Sequence, residues 1–136
     1  IYQYDGVGDF AFELANRSGE NNASPRSKAT VSNVTIRGSG RVGKSGFDLK
    51  QGTGGIFNNI VGTNFDTVIF MNNQLQEVVN GDLEFTNANF SGYNTLINNK
   101  VDATDITSNL ISTNANATGA NKTEFAVWST YGKRGY

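Results

Sequence analysis

The chain of 136 residues contains no cysteine and no histidine. The first absence rules out disulfide staples, thiolate metal sites and cysteine nucleophiles, and the second rules out every catalytic triad or zinc centre that needs an imidazole. Neither fixes the compartment. No apolar run approaches the roughly 20 residues that a membrane-spanning helix requires. Charge of one sign is also lacking: 11 Lys and Arg stand against 12 Asp and Glu, for a net charge of −1. Near-neutrality argues against a dedicated nucleic-acid binder, and the basic stretch 26–50 has Phe47 as its only aromatic. The strings Gly38-Ser39-Gly40 and Gly52-Thr53-Gly54-Gly55 lack the Gly-Lys-Ser/Thr pattern of a phosphate loop and read as β-turns. Threonines do not recur in register, which excludes a flat ice-binding array.

Proline occurs once, whereas glycine occurs 16 times and asparagine 19 times. This composition fits many short strands joined by turns in which Gly and Asn adopt positive φ. Only 37 % of the residues are apolar, so the core is modest and chain ends need cover. A short phrase recurs: Ser32-Asn33-Val34-Thr35-Ile36-Arg37-Gly38, Phe57-Asn58-Asn59-Ile60-Val61-Gly62 and Thr86-Asn87-Ala88-Asn89-Phe90-Ser91-Gly92, with a weaker copy at Ser108-Asn109-Leu110-Ile111-Ser112. Anchored on the first Asn of each, Asn33, Asn58, Asn87 and Asn109 are 25, 29 and 22 residues apart. Such spacing is the signature of a solenoid, whose repeats bury their apolar faces only by stacking.

The sequence predicts an all-β, parallel β-helix of about five coils in a single domain, residues 1–136, with strands capping its ends. Strands are predicted near residues 9–14, 30–37, 46–50, 55–61, 67–71, 81–86, 95–97, 105–111 and 124–129. Strand or loop is favoured over a helical turn at 74–79. The four anchoring asparagines are expected to form an amide ladder, and Ile36, Val61, Phe90 and Ile111 an inward apolar stack. The stretch Ser24-Pro25-Arg26-Ser27, Val31 to Ile36, Gln51-Gly52-Thr53-Gly54-Gly55 and Phe57 to Val61 resembles the later part of right-handed β-helix surface proteins and lipoproteins of bacteria. That resemblance covers roughly residues 9–92. It implies the fold, its handedness and an extracellular or cell-surface setting, and it transfers no catalytic residues. A first residue Ile1 rather than Met is expected of a processed chain that has lost an export signal, or of a fragment.

Charges are unevenly spread. Arg26, Lys28, Arg37, Arg41, Lys44 and Lys50 crowd around the single acid Asp48, whereas residues 51–99 carry Asp66, Glu77, Asp82 and Glu84 without any Lys or Arg. In a solenoid this predicts basic early coils and acidic middle ones, a polarity able to steer head-to-tail contacts. Residues 1–8, with Tyr2, Tyr4 and Val7, and the tail with Phe125, Val127, Trp128 and Tyr131 are candidate caps or assembly segments. Lys133 and Arg134 keep that terminus soluble. A contact that repeats without closing makes a filament. The leading expectation is therefore a structural, self-associating extracellular subunit.

The alternative is a glycan-binding or polysaccharide-processing β-helix. Asp48, Asp66, Asp82, Glu84, Asp102 and Asp105 are the candidate acids, but none forms the clustered pair that acid/base hydrolysis uses. No catalytic residue, metal ligand or cofactor is assigned, and the chain is expected not to be an enzyme. Tyr93, Tyr131 and Trp128 are candidate surfaces for stacking sugars, with core or cap packing favoured for Trp128. Among the Asn-x-Ser/Thr sequons, Asn16, Asn22, Asn116 and Asn121 fall in predicted loops and are candidate glycosylation acceptors, while Asn33 and Asn89 fall in strands.

Overall fold

The computed structural model describes residues 1–72, 75–100 and 106–125. The chain alternates between two sheets: β1 (Phe10–Ala15), β3 (Ser45–Lys50), β5 (Thr67–Asn72) and β7 (Thr95–Asn99) form the odd sheet, in that order. The even sheet contains β2 (Lys28–Arg37), β4 (Gly54–Thr63), β6 (Leu83–Ser91) and β8 (Ile111–Thr113). Every neighbouring pair is parallel. Successive strand pairs are thus turns of a β-helix, each laid on the last. Four such pairs lie among the described residues. The expected fifth turn has no counterpart there.

Inside, the odd sheet contributes the rows Phe12–Phe47–Ile69–Ile97 and Leu14–Leu49–Met71. They meet the row Val31–Phe57–Phe85–Ile111 from the even sheet. Four phenylalanines interlock across this interior. Phe12 stacks on Phe47 at 5.2 Å, Phe57 on Phe85 at 4.6 Å, and Phe47 meets Phe57 edge-on at 5.1 Å. Phe47, Phe57 and Phe85 are completely buried, and each contributes roughly 1.5–3 kcal/mol of transfer free energy.

The long even strands bend in the middle. Asn33, Asn59 and Asn87 hold φ of 59°, 57° and 52°, a left-handed conformation that asparagine tolerates. One residue in this state shifts the alternation, so the inward row at Val31 is followed by one three residues on, Val34–Ile60–Ala88, and then by Ile36–Gly62–Phe90. The asparagines form an amide ladder. Asn59 Nδ2 donates to Asn33 Oδ1 at 2.8 Å, Asn87 Nδ2 to Asn59 Oδ1 at 3.3 Å, and Asn114 Nδ2 to Asn87 Oδ1 at 2.5 Å.

This register corrects two expectations. Asn58 is not in the amide ladder: it lies between Ser32 and Thr86 on the outside and accepts from Thr86 Oγ1 at 3.2 Å. Asn109 sits in α2 (Thr107–Leu110), and Asn114 takes its place. Val61 faces outward between Thr35 and Asn89, and Ile111 pairs with Phe85, so neither joins Ile36 and Phe90. Three segments are helical where strand or loop is expected. Leu75–Val79 is α1, closed by Gly81 at φ 70°, whose N–H donates to Val78 O while Asp82 N–H donates to Glu77 O. The segment before β8 is α2, and Lys122–Phe125 is α3, whose start is capped by Asn121 Oδ1 accepting from Thr123 N–H at 3.0 Å.

The uneven charge resolves into pairs between coils. Lys28 reaches Asp82, two coils away, at 2.9 Å by crossing the bare backbone of Gly54, where a Cβ would stand 3.2 Å from Lys28 Cγ. Arg26 bonds Glu77 at 2.6 Å and also Gly52 O, and the Glu77 side chain is only 4 % exposed. Lys44 pairs with Asp9, Lys50 with Glu13 and Arg41 with Asp5, while Arg37 lies over the Tyr2 ring. Early cations are therefore satisfied within the molecule.

Candidate functional site

Four consecutive odd strands carry aligned quartets: Phe12-Glu13-Leu14-Ala15, Phe47-Asp48-Leu49-Lys50, Ile69-Phe70-Met71-Asn72 and Ile97-Asn98-Asn99-Lys100. In each the first residue points inward, so the second faces out. The outer face of the odd sheet thus carries the row Glu13–Asp48–Phe70–Asn98, in which Glu13 and Asn98 are exposed, Phe70 is half-buried and Asp48 is only 6 % exposed. Beside it runs Ala15–Lys50–Asn72. Three inter-strand steps make the first row roughly 14 Å long.

Lys50 organises the start of this face. Its ammonium donates to Glu13 Oε1 at 2.5 Å and lies 3.3 Å from Asp48 Oδ2. The hydrogen bond to Glu13 is the main cause that pushes the Lys50 pKa up, with the Asp48 contact adding to it against a loss of hydration. The two carboxylates share one ammonium and so lie no more than about 6 Å apart. That is closer than the roughly 6.5–9.5 Å of an inverting glycosidase and includes the roughly 5–5.5 Å of a retaining one, but both carboxylates are ion-paired to Lys50. Further along, Lys100 Nζ stands 5.1 Å from the centre of the Phe70 ring, a cation–π contact at the edge of the face. A half-buried ring and an exposed amide thus stand beside ion-paired carboxylates and ammonium groups. The ring offers a flat apolar platform, and the rest supplies donors and acceptors on both sides.

Turns hold the face in place. Asp66, just before β5, accepts from Gly43 N–H at 2.7 Å and from Asn94 Nδ2 at 2.9 Å, tying the turns ahead of β3, β5 and β7 together. These bonds, that from Asn94 foremost, hold its carboxyl below the usual value. On the even sheet, residues 115–120 run back along the outside from the last turn toward the first. Asn89 Nδ2 donates to Ala115 O, Asn59 Oδ1 accepts from Thr118 and Gly119 N–H, and Thr35 Oγ1 accepts from Ala120 N–H. This strap lies over the outer side of the even sheet and leaves the odd sheet's face uncovered by it.

With two parallel sheets and an inward phenylalanine stack in hand, the comparison with known families is specific: a model described as a pectate-lyase-like beta helix domain matches residues 1–132. The chain belongs to this pectate-lyase-like β-helix family. No curated protein and no solved structure matches it.

In this pectate-lyase-like β-helix domain the acids named from sequence are dispersed. Asp48 is nearly buried on the outer odd face, Asp66 is in a turn, Asp82 is in the bend before β6 and Glu84 is in β6, with Asp82 held by Lys28, whose hydrogen bond lowers its pKa. Asp102 and Asp105 lie outside the described residues. Among the described residues no three Asp or Glu side chains gather as a metal cluster. Tyr93 is exposed in the turn between β6 and β7. Trp128, Tyr131 and Val127 lie outside the described residues, and Phe125 ends α3.

Tyr2 joins the first turn through an isolated parallel bridge to Arg37: Arg37 N–H donates to Ile1 O, Gln3 N–H to Arg37 O, and the N-terminal ammonium to Thr35 O. Tyr4 and Val7 follow in an exposed loop. Of the sequons, Asn16 spends its amide on Asn21 O, Ala23 O and Ser27 N–H, Asn121 caps α3, and Asn22 and Asn116 are exposed.

Glu13, Lys50 and Phe70 escaped sequence reasoning. The signal was the aligned quartet of outward residues, masked by unequal turn lengths that place Glu13, Asp48, Phe70 and Asn98 at irregular intervals.

Proposed function

We propose that this domain is an extracellular or surface-displayed module that binds an extended, neutral polysaccharide along the outer face of its odd sheet and does not cleave it. The observation that carries this reading is the row Glu13–Asp48–Phe70–Asn98 with Lys50 between the two carboxylates. Two carboxylates balanced by Lys50 and Lys100 favour a neutral chain over a strongly charged one. A lysine held protonated by Glu13 is a poor general base, because an effective base has its pKa near the working pH. The family's printed description, pectate-lyase-like, is consistent with a polysaccharide ligand.

The winding is read as right-handed, since parallel strands joined by a crossover take that hand in about 98 % of cases. Self-association through the termini draws less support, because residues 1–3 pair with β2 of their own chain.

Affinity electrophoresis against a soluble neutral glucan and against polygalacturonate tests the reading. Retardation in the neutral gel, weakened about fivefold by Phe70→Ala through the loss of roughly 1 kcal/mol of ring contact, is expected. Release of reducing ends from either polymer, or equal retardation of wild type and variant, would overturn it.

A further inference from the structure

Glu13 of β1 stands in register with Asp48 of β3, so two acids lie side by side on the outer odd face. Among the described strand pairs this is the one position where like charges meet. Like charges in paired positions destabilise a sheet. A local conflict kept in an otherwise consistent sheet points to a role outside folding.

Lys50 settles the conflict, but the two carboxylates stand differently to it. The Asp48 side chain is 8 % exposed and its Oδ2 lies 3.3 Å from the ammonium, a lasting internal partner. One carboxylate balances one ammonium, and Glu13 is therefore surplus to that balance. Its side chain is 56 % exposed, on the terminal strand of the odd sheet, yet it accepts from the Lys50 ammonium at 2.5 Å, the shorter of the two contacts. Exposed pairs of this kind add little stability. What the Glu13 carboxylate does there is what a uronate carboxylate on a ligand would do, which is to accept a charge-assisted hydrogen bond from an ammonium in the row that continues to Phe70 and Asn98.

We infer that Glu13 is the charge selector of the odd face: it occupies the Lys50 ammonium that the carboxylate of an acidic polysaccharide would otherwise take, and its own charge repels such a chain. This rests on the polysaccharide-binding reading above and names the ligand class that the face turns away. Asp48 is too deeply set to meet a ligand, and the Lys100 ammonium is at the other end of the face, against the Phe70 ring.

Glu13→Gln removes the charge and keeps the length of the side chain. Glu20→Gln is the matched reference, because Glu20 is 54 % exposed and also pairs with one cation, Arg17, in the turn between β1 and β2. Both carboxylates are more than half exposed, so neither change removes packing. The full chain and the two variants are compared by affinity electrophoresis in polygalacturonate and in a neutral glucan, at low and at high salt. The ratio of polygalacturonate affinity to neutral-glucan affinity is expected to rise about fivefold in Glu13→Gln at low salt and to stay at the wild-type level in Glu20→Gln. The gain should shrink at high salt, because exposed charges are screened. An unchanged ratio in Glu13→Gln, or an equal rise in both variants, would overturn the inference, while retardation of wild type by the neutral glucan would leave the binding reading standing. If wild type is not retarded by the neutral glucan, the binding reading fails, and the selector is judged in polygalacturonate alone: retardation gained only by Glu13→Gln supports it, and no gain overturns it.

Discussion

Asn59 is the side chain on which most of the even sheet converges. It donates to Asn33 and to Thr118 Oγ1, and it accepts from Asn87 and from the N–H groups of Thr118 and Gly119, all while holding φ 57°. Each such bond contributes about 0.5–1.5 kcal/mol net, and alanine at positive φ adds strain of about 1 kcal/mol or more. Asn59→Ala should therefore destabilise the domain by roughly 2–4 kcal/mol in urea unfolding. Its neighbour Asn58, outside the ladder, should cost under about 1 kcal/mol when changed to alanine. Asn59→Gly separates the terms by relieving the backbone while losing the bonds. Equal effects at the two positions would contradict the register. Asp66 supplies the pH counterpart. Its folded pKa is depressed below the 3.8 of an ordinary aspartate by Asn94 and Gly43, so its contribution is present above that value and is lost as pH falls through the folded pKa. The melting temperature of Asp66→Asn should consequently depend less on pH below about 4 than that of wild type, a difference absent at neutral pH.

Among the elements, turns decide what strands can do. Arg26 sits in the turn before β2 and reaches across Gly52 to a nearly buried Glu77 on α1. Removing one partner of a buried pair leaves a stranded charge, at a typical cost of about 3–5 kcal/mol. Arg26→Met is thus expected to be markedly more destabilising than Arg26→Met combined with Glu77→Leu, and a thermal-melt double-mutant cycle reads the difference. If the two costs simply added, the pair would be no staple. The same scale shows how far the sequence was legible. Most strand positions up to β7 and the parallel stacking followed from Asn- and Gly-rich turn chemistry and the recurring phrase, because those encode local backbone geometry. The ladder was misplaced at Asn58 because the Asn58-Asn59 pair is ambiguous until β4 is set against β2, where Val34 meets Ile60. Likewise α1 contains Leu75, Val78 and Val79, an apolar set as compatible with a strand as with a helical turn. What settles it is the distant Arg26 contact and the Gly81 stop. The outer odd face was hidden for a similar reason, since the turn separating β1 from β2 is far longer than that separating β3 from β4.

For the whole molecule, a phenylalanine stack and inter-coil ion pairs create one stiff support with two different outer faces. One is crossed by the strap of residues 115–120, and the other carries the Glu13 carboxylate, the Phe70 ring and the Asn98 amide in a row about 14 Å long, with Asp48 nearly buried in the same row. Phe57→Ala, in the middle of the ring stack, should cost about 3–5 kcal/mol and weaken binding only by lowering the folded fraction. Phe70→Ala should do the reverse, leaving the melting temperature nearly unchanged while reducing affinity about fivefold. The most direct measurement is a titration of isotopically labelled protein with a soluble neutral oligosaccharide, followed by amide chemical shifts. Perturbations are expected on β1, β3, β5 and β7 around Glu13, Asp48, Phe70 and Asn98, saturating with ligand, while the sugar stays intact. Shifts confined to the even sheet, or cleavage of the oligosaccharide during the titration, would contradict a binding role for the odd face.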